Sequence, residues 1–292
     1  MHRREAVTLL FGALASTAGA AARPVVSTLI GTGVPGCSAQ QVHNPYGLAI
    51  GPDRALYFCD LDNQRIRRLD LRTRATVTVA GNGEEAYAGD GGKATDASLR
   101  MPHEIQFDAS GNLYIAERDS HVVRKVAAGS GLISTLAGTG EAGFAGDGGP
   151  AARAQLRQPH SIAIEPGGHR LLICDVGNHR LRAVDLRTGT IATIGGTGER
   201  RPTPDGARLE GSPLHGPRTM AFDRRGQLYL ALREGNAIHR VDVAAGRIHH
   251  VAGTGAQGYG GDGGPARVAT FAGPKGLAWH LGASTWSTPR IT

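Results

Sequence analysis

The chain has 292 residues, of which 32 are Lys or Arg and 25 are Asp or Glu, so its formal net charge at pH 7 is +7. Aromatic residues make up only 5% of the chain, which argues against nucleic acid as a partner because single-stranded nucleic acid is bound by stacking as well as by charge. Three cysteines are too few for a disulfide framework.

The N-terminus has the composition of an export signal. Residues 1–22 join a charged start, with Arg3 and Arg4, to a short apolar stretch and to small residues before candidate cleavage sites after Ala20 and Ala22. The arginine pair resembles a twin-arginine (Tat) signal, although residues 5–7 lack the aromatic side chain that the motif usually carries. The alternative is a disordered basic tail. We expect an exported protein, periplasmic or secreted, with no transmembrane segment once the signal is removed.

One sequence pattern recurs five times with a nearly constant period. The offsets between successive copies are 57, 57, 58 and 57 residues, and the copies begin at Asn44, Met101, Gln158, Gly216 and Gly273. Such regularity indicates a repeat architecture. Each copy predicts four short strands, which in the third copy are Ser161–Ile164, Leu171–Cys174, Arg180–Val184 and Ile191–Ile194. The 44 glycines and the absence of a 3.6-residue pattern disfavour a helical solenoid, so the sequence predicts an all-β propeller of four-stranded blades.

The third copy also carries a family resemblance. This copy resembles an NHL repeat. The resemblance lies in residues 176–182, in the preceding strand that ends at Asp175 and in the closing residues 194–198. Matching segments begin at Asp60, Glu117 and Leu232. The resemblance covers residues 25–279 and implies a β-propeller, most often of six blades, distantly similar to streptogramin lyase and gluconolactonase-like propellers. It implies no single activity, because one fold hosts many functions.

The repeats predict one toroidal domain. We expect a signal in residues 1–22, a clasp strand and lead-in loop in 23–43, the propeller in 44–279 and a tail that does not match the repeat in 280–292. Val25–Thr32 matches the fourth strand of a blade, so it is expected to pair with the last blade and close the ring. Four complete copies and a partial fifth are present, and the match stops abruptly after Trp279. This favours a truncated or frame-shifted version of a six-bladed parent over a shorter, irregular ring.

A set of chemically varied side chains is predicted at one mouth of the central channel. Each blade's first strand follows a proline, and the residue after that proline is, in turn, Tyr46, His103, His160, Arg218 and Lys275. First strands line the channel of a propeller, so these residues should surround its mouth. Pairing of the first and second strands places Glu117 opposite His103 and Asp175 opposite His160. The whole set suits an anionic or polyhydroxyl small ligand, a peptide or a protein.

A second resemblance raises the possibility of catalysis. Residues 101–105 and 158–162 resemble the metal-binding Pro-His segments of the peptidyl-hydroxyglycine amidating lyase, a propeller enzyme with a zinc ion held by three histidines. The resemblance implies His103 and His160 as ligands of zinc or calcium, with Glu117 or Asp175 as their hydrogen-bond partners. A third ligand is missing from the equivalent positions.

Two functions therefore stay open. The first is a binding module that holds a ligand or partner protein on one face and has no chemistry of its own, and the incomplete ligand set favours it. The second is a metal-dependent lyase or lactonase, in which Arg218 or Tyr46 steers an anionic substrate or acts as acid or base.

Several other residues recur with the period, and each has a structural interpretation. The glycine-rich loops between blades carry Asp90, Asp147, Asp205 and Asp262. One carboxylate per loop is too few for a calcium site, so the sequence favours an aspartate that hydrogen-bonds its own turn over calcium or phosphate binding. Every copy also contains an arginine, expected to be solvated or to lie between blades: Arg67, Arg124, Arg182 and Arg240. Cys59 and Cys174 share a position that favours small apolar groups, and His121 and His179 are expected to be structural.

Overall fold

The computed structural model of the chain describes residues 26–280 and 283–287, which form four successive four-stranded antiparallel sheets and a two-stranded hairpin. Blade one contains β1 (Pro45–Ile50), β2 (Leu56–Asp60), β3 (Arg65–Leu69) and β4 (Thr76–Ala80). Blade two contains β5 (Pro102–Phe107), β6 (Leu113–Glu117), β7 (Val122–Val126) and β8 (Ile133–Ala137). Blade three contains β9 (Pro159–Ile164), β10 (Arg170–Asp175), β11 (Arg180–Asp185) and β12 (Ile191–Gly195).

Blade four repeats the same order, and a hairpin follows it. Its strands are β13 (Pro217–Phe222), β14 (Leu228–Leu232), β15 (Ala237–Asp242) and β16 (Arg247–Ala252). The hairpin, blade five, consists of β17 (Gly276–His280) and β18 (Ala283–Ser287). Short 3₁₀ turns occur at Leu61–Asn63, Ala151–Arg153, Val176–Asn178 and Ala266–Val268. The four strands predicted for each copy are thus confirmed in blades one to four.

The sheets pack face to face because each is apolar on both sides. In β10, Leu171 and Ile173 pack in the cluster shared with blade two, whereas Leu172 and Cys174 pack in the cluster shared with blade four. Successive side chains of a strand point to opposite faces, so an uninterrupted apolar run buries a strand on both sides. The run of four apolar residues in β10 therefore fixes this blade between two neighbours.

The first strands stand side by side and line the centre of the molecule. β1 contacts β5, β5 contacts β9, β9 contacts β13, and β13 contacts β17. Gly47 permits this closeness, since a Cβ built on it would lie 2.7 Å from the carbonyl oxygen of His103 in the neighbouring blade. The outer strands diverge from this centre, which gives the radial arrangement of a propeller.

A residue in the left-handed conformation ties each blade to the next. Gln64, His121, His179 and Asn236 have φ angles of 54°, 56°, 54° and 47°. Their side chains accept hydrogen bonds at 2.8, 3.1, 3.1 and 2.9 Å from the backbone N–H groups of Met101, Gln158, Gly216 and Gly273. We call these four contacts the inter-blade ties. They confirm the structural role expected for His121 and His179.

Three blades share a buried ion pair, which we call the arginine bridge. It joins an acidic residue at the end of the second strand to an arginine on the third strand, at 3.2 Å in Asp60–Arg67, 3.0 Å in Glu117–Arg124 and 3.4 Å in Asp175–Arg182. These arginines are buried, so they are not the solvated side chains that the sequence left open. In blade four the equivalent positions are Leu232 and His239, and Arg240 lies one residue beyond the register of the other three arginines.

The loop aspartates reach across to a sheet. Asp90 accepts hydrogen bonds from Arg124 at 2.6 Å and from the backbone N–H of Thr135 at 3.0 Å. Asp147 accepts one from Arg182 at 2.7 Å. The prediction that each aspartate hydrogen-bonds its own turn is therefore wrong for these loops, because the loop folds back over the third and fourth strands of the following blade. The neighbouring glycines do adopt positive φ, as expected, for example 93° at Gly89.

The two ends of the described chain differ from expectation. Residues 26–32 of the expected clasp form no strand, and Ile30 packs on the outer face of blade one against Val42 and Phe58. The tail expected not to match the repeat supplies the strand β18, which pairs with β17 from Gly276↔Ser287 to His280↔Ala283. Closure of the ring stays a prediction. The expected signal in residues 1–22 lies outside the described residues.

Candidate functional site

A backbone irregularity lies at the mouth residue of blades two and four. In blade two, Pro102 pairs with Glu117 and Glu104 pairs with Ala116, so His103 is an extra residue between two rungs of the ladder. The same shift follows Pro217 in blade four, where it frees Arg218. A bulge of this kind redirects a side chain at the rim of a sheet. It explains why these side chains turn towards the channel.

Four of the five predicted mouth residues form a chain of direct contacts. The ring centroids of Tyr46 and His103 are 4.3 Å apart, and those of His103 and His160 are 3.5 Å apart. The guanidinium of Arg218 donates a hydrogen bond to Nε2 of His160. Lys275 is exposed, but its charge helps to lower the pKa of His103. The structure thus brings four of the five into contact, with Lys275 near them, and we call Tyr46, His103, His160, Arg218 and Lys275 the mouth cluster.

The two histidines of the mouth cluster are neutral at pH 7. His103 is 5% exposed and His160 is 4% exposed. Burial lowers the pKa of His103 well below its usual value, and the charge of Arg218 lowers it further. Burial likewise lowers the pKa of His160, followed by the effects of His103 and Arg218. The positive charge at the mouth therefore comes from arginine and lysine.

Glu117 and Asp175, the predicted partners of His103 and His160, do not lie opposite these histidines. Glu117 pairs with Pro102, one residue from the expected position, and its carboxylate accepts from the backbone N–H of Arg100 at 2.8 Å as well as from Arg124. Asp175 similarly pairs with Pro159 and accepts from Asn178 at 2.8 Å. The bulge shifts the register, so both carboxylates hold the arginine bridges. The prediction that they lie opposite His103 and His160 is therefore wrong, and their part in ligand binding stays a prediction.

The cavity beside the mouth cluster reveals cations that the sequence analysis missed. It has a volume of about 320 Å³, and the arginines and histidines that line it are Arg118, His160, His179, Arg200, His215, Arg218 and Arg233. Glu234 is the one carboxylate among the described lining residues, and it accepts from Arg233 at 2.8 Å. Arg118 and Arg233 occupy the same repeat position, where the other blades have Leu61 and Val176. The presence of arginine in two blades, where the other blades have an apolar residue, is the feature of the sequence that could have indicated these cations.

Glu104 is a further residue of this region that the sequence did not indicate. It lies on β5 next to His103, at a position that is Gly47, Ser161, Thr219 or Gly276 in the other blades. Burial raises the pKa of Glu104 to about 8. Its carboxyl group is therefore mostly protonated at pH 7 and does not neutralise the cations at the mouth.

Arg218 is a half-buried cation without an acidic partner. Among the described residues, none of the salt bridges involves Arg218. Burial is the main reason that its pKa is lowered to about 10; the nearby Arg233 and Arg118 act in the same direction, whereas Tyr46 and Glu234 oppose them. Removing a cation from water is unfavourable unless an opposite charge compensates it. The mouth therefore favours an anion from outside the chain.

Within the described residues the mouth lacks a complete set of ligands for zinc or calcium. A catalytic zinc needs about three protein ligands, and calcium needs six or more oxygen atoms. Within the described residues no group of three or more His, Cys, Asp or Glu side chains is placed to hold a metal. His160 accepts at Nε2 from Arg218, so its ligating nitrogen faces a cation. We derive no reaction step through a metal.

Within the described residues no helix has the length and apolarity to cross a membrane. Radial four-stranded sheets made from one repeated sequence, with a charged mouth at their centre, define a β-propeller with a candidate ligand-binding face. The resemblance seen in the sequence is confirmed, because curated relatives named for their NHL repeats match the chain. No protein-family model matches the chain.

Curated relatives match over part of their length. The chain is 32% identical to Protein SUPPRESSOR OF QUENCHING 1, chloroplastic, of Arabidopsis thaliana, over 57% of the chain and 16% of the relative. It is 28% identical to the human NHL repeat-containing protein 2, over 75% of the chain and 34% of the relative. The chain thus spans well under half of either relative.

Solved structures share the fold. The propeller in a nidogen/laminin complex superposes with a TM-score of 0.57 at 13% identity, over 85% of this chain and 73% of that one. A catalytically inactive virginiamycin B lyase from Staphylococcus aureus, solved with quinupristin, superposes with a TM-score of 0.53 at 15% identity, over 91% of this chain and 68% of that one. At these identities the likeness concerns the fold alone.

Proposed function

We propose that the protein is an exported NHL-repeat propeller that binds a ligand carrying carboxylate or phosphate groups at the mouth cluster. The ligand is a small anion or the acidic part of a peptide or partner protein. Export to the periplasm or the outside rests on the sequence of residues 1–22. The propeller of the nidogen/laminin complex is a precedent for protein binding by this fold.

The observation that carries the proposal is the unneutralised charge of Arg218. Its guanidinium contacts a neutral imidazole, the nearby Glu104 carboxyl is protonated, and two more arginines surround it. A guanidinium binds carboxylate and phosphate through paired N–H donors, so it would supply both charge and direction. Arg118 and Arg233 are already paired with Asp119 and Glu234, so a bound anion would mainly compensate Arg218.

Anion titration of the purified protein tests the proposal. Succinate and inorganic phosphate serve as probes, measured by calorimetry at low and high salt. Arg218→Gln should weaken binding at least about tenfold, the loss expected when one charge-assisted hydrogen-bond pair is removed. Arg225→Gln is the matched control, because Arg225 is an exposed arginine in the β13–β14 turn at the other end of the same hairpin.

The two variants distinguish the outcomes. Loss in Arg218→Gln with retention in Arg225→Gln supports the mouth as the anion site. Equal affinities for both variants and the natural chain contradict it, since nonspecific attraction to a basic protein would not depend on one guanidinium.

The alternative function, a metal-dependent lyase or lactonase, rests on the contact between His103 and His160. Metal analysis addresses it separately. Near-stoichiometric zinc that is lost in both His103→Ala and His160→Ala would favour the enzyme. A protein free of metal that still binds succinate would favour the binding module.

A further inference from the structure

Blades two and three each contain a stack of three groups: an aromatic ring, the arginine of the arginine bridge and its carboxylate. An aromatic ring from the preceding loop covers the guanidinium of the arginine bridge, with 5.1 Å from Arg124 to the ring of Tyr87 and 5.0 Å from Arg182 to the ring of Phe144. The buried carboxylate of the bridge lies beneath. These side chains fill the space between the sheet and the loop that precedes it.

Blade four lacks all three groups. The positions of the aromatic ring, the arginine and the carboxylate hold Pro202, His239 and Leu232. Proline is smaller than the aromatic ring and histidine is smaller than arginine, whereas leucine replaces a carboxylate by an apolar group. A cavity of about 260 Å³ is present here, and all three replacements line it. The cavity therefore lies where the ring and the guanidinium are absent, and no residue of the mouth cluster lines it. We call it the blade-four cavity.

His239 gives the blade-four cavity one unsatisfied polar atom. The side chain is 3% exposed, and its Nδ1 finds no hydrogen-bond partner among the described residues. Burial lowers the pKa of His239 to about 4, and the backbone of Thr203, which favours the protonated ring, opposes this only in part. The ring is therefore neutral, and a proton on Nε2 leaves Nδ1 as an acceptor. Nδ1 is therefore a buried acceptor that lacks a donor.

The rest of the lining is apolar inside and charged at the rim. Leu232 and Ala237 are 1% and 5% exposed. At the rim, Asp205 is already paired with Arg267, so it offers little to a cationic ligand. The imidazole of His250 lies 5.5 Å from that of His239, measured between ring centroids, and presents a flat surface. A ligand should therefore be uncharged, flat and able to donate one hydrogen bond.

We propose that the blade-four cavity is a second ligand site, which accepts an aromatic ring carrying an N–H or O–H donor, such as a phenol or an indole, free or as part of a peptide. The ring would take the place of the aromatic side chain that blades two and three supply themselves. Its donor would satisfy Nδ1 of His239, and the guanidinium of Arg267 would approach its face or edge.

Binding of phenol and of anisole tests this site. The two rings are similar, but only phenol donates a hydrogen bond. Phenol should bind about three- to tenfold more tightly than anisole and should shift the ¹⁵N resonance of His239 Nδ1. In His239→Phe, which keeps a ring of similar size, the preference for phenol should disappear. Leu232→Phe should fill the cavity and weaken both probes.

Arg218→Gln is the control that separates this site from the mouth cluster, since it should leave phenol binding unchanged whether or not anions bind there. Thermal melting shows whether each variant folds. If folded Leu232→Phe binds phenol as well as the natural chain, or if the His239 resonance does not move, the site is contradicted. Equal affinity for phenol and anisole would overturn the role of Nδ1.

Discussion

Arg124 and Glu117 form an ion pair, 3.0 Å between Nη1 and Oε1, in which neither side chain is exposed to solvent. The same carboxylate accepts from Ser120 at 3.0 Å, and the same guanidinium reaches Asp90. The arginine bridge thus fastens two strands of a blade to the loop that precedes it. Burial raises the pKa of Glu117, and Arg124 opposes this effect.

Removing one partner of this pair should be costly. Arg124→Met leaves a buried carboxylate without its cation, and we expect the free energy of unfolding to fall by about 3 to 5 kcal/mol. Urea denaturation measures it. Glu199→Gln is the control, because Glu199 and its partner Arg201 are exposed and the pair should contribute less than about 1 kcal/mol. Similar small losses for both variants would show that the bridge is not stabilising.

Blade four allows the bridge to be rebuilt. Leu232→Glu alone should destabilise the protein, because it buries a carboxylate without a partner. Adding His239→Arg supplies the guanidinium, so we expect a favourable coupling of about 1 to 3 kcal/mol between the two changes in a double-mutant cycle. Additive losses would mean that the backbone of blade four no longer accommodates the bridge.

The inter-blade ties should differ in strength with their burial. The contact from Gly216 N–H to His179 is buried, whereas that from Gln158 N–H to His121 is exposed to water. His179→Ala should therefore cost about 1 to 3 kcal/mol, and His121→Ala distinctly less. His179→Asn should restore much of the loss, since Asn236 makes the same tie in blade four. Chemical denaturation of the three variants checks this order.

Glu104 should make stability depend on pH above neutrality. Its folded pKa of about 8 exceeds the usual value of 4.5, so the folded state binds more protons between these values and the free energy of unfolding falls as pH rises through that range. Glu104→Gln removes this dependence. From pH 7 to 9, where histidines are largely neutral in both states, the natural chain should lose stability relative to the variant. Parallel curves would contradict the burial of this carboxyl group.

The sequence predicted the repeated parts of the molecule better than the exceptions. The blade strands and the convergence of Tyr46, His103, His160 and Arg218 follow from the period, because equivalent positions become neighbours around one axis. The partners of His103 were misjudged by one residue, since a bulge has no clear mark in a single sequence. The charge state of Glu104 depends on burial by distant segments, which the period does not encode.

The arginine bridge shows the same limit. Its acid and base lie seven residues apart and recur in three blades, yet the loop aspartate that completes it is 34 residues from Arg124. Only the folded chain shows that the loop returns over the sheet. Conversely, the departure of blade four at Leu232 and His239 is plain in the aligned repeats, and the cavity that results from it required coordinates.

Each inter-blade tie joins residues separated by 37 positions in the chain. A blade can therefore capture the start of its successor soon after that segment leaves the ribosome, without waiting for distant parts of the polypeptide. Assembly would proceed in order from the N-terminal wedge, one unit at a time, and wedges could be gained or lost in evolution by duplicating or deleting a whole period while every remaining junction stays intact.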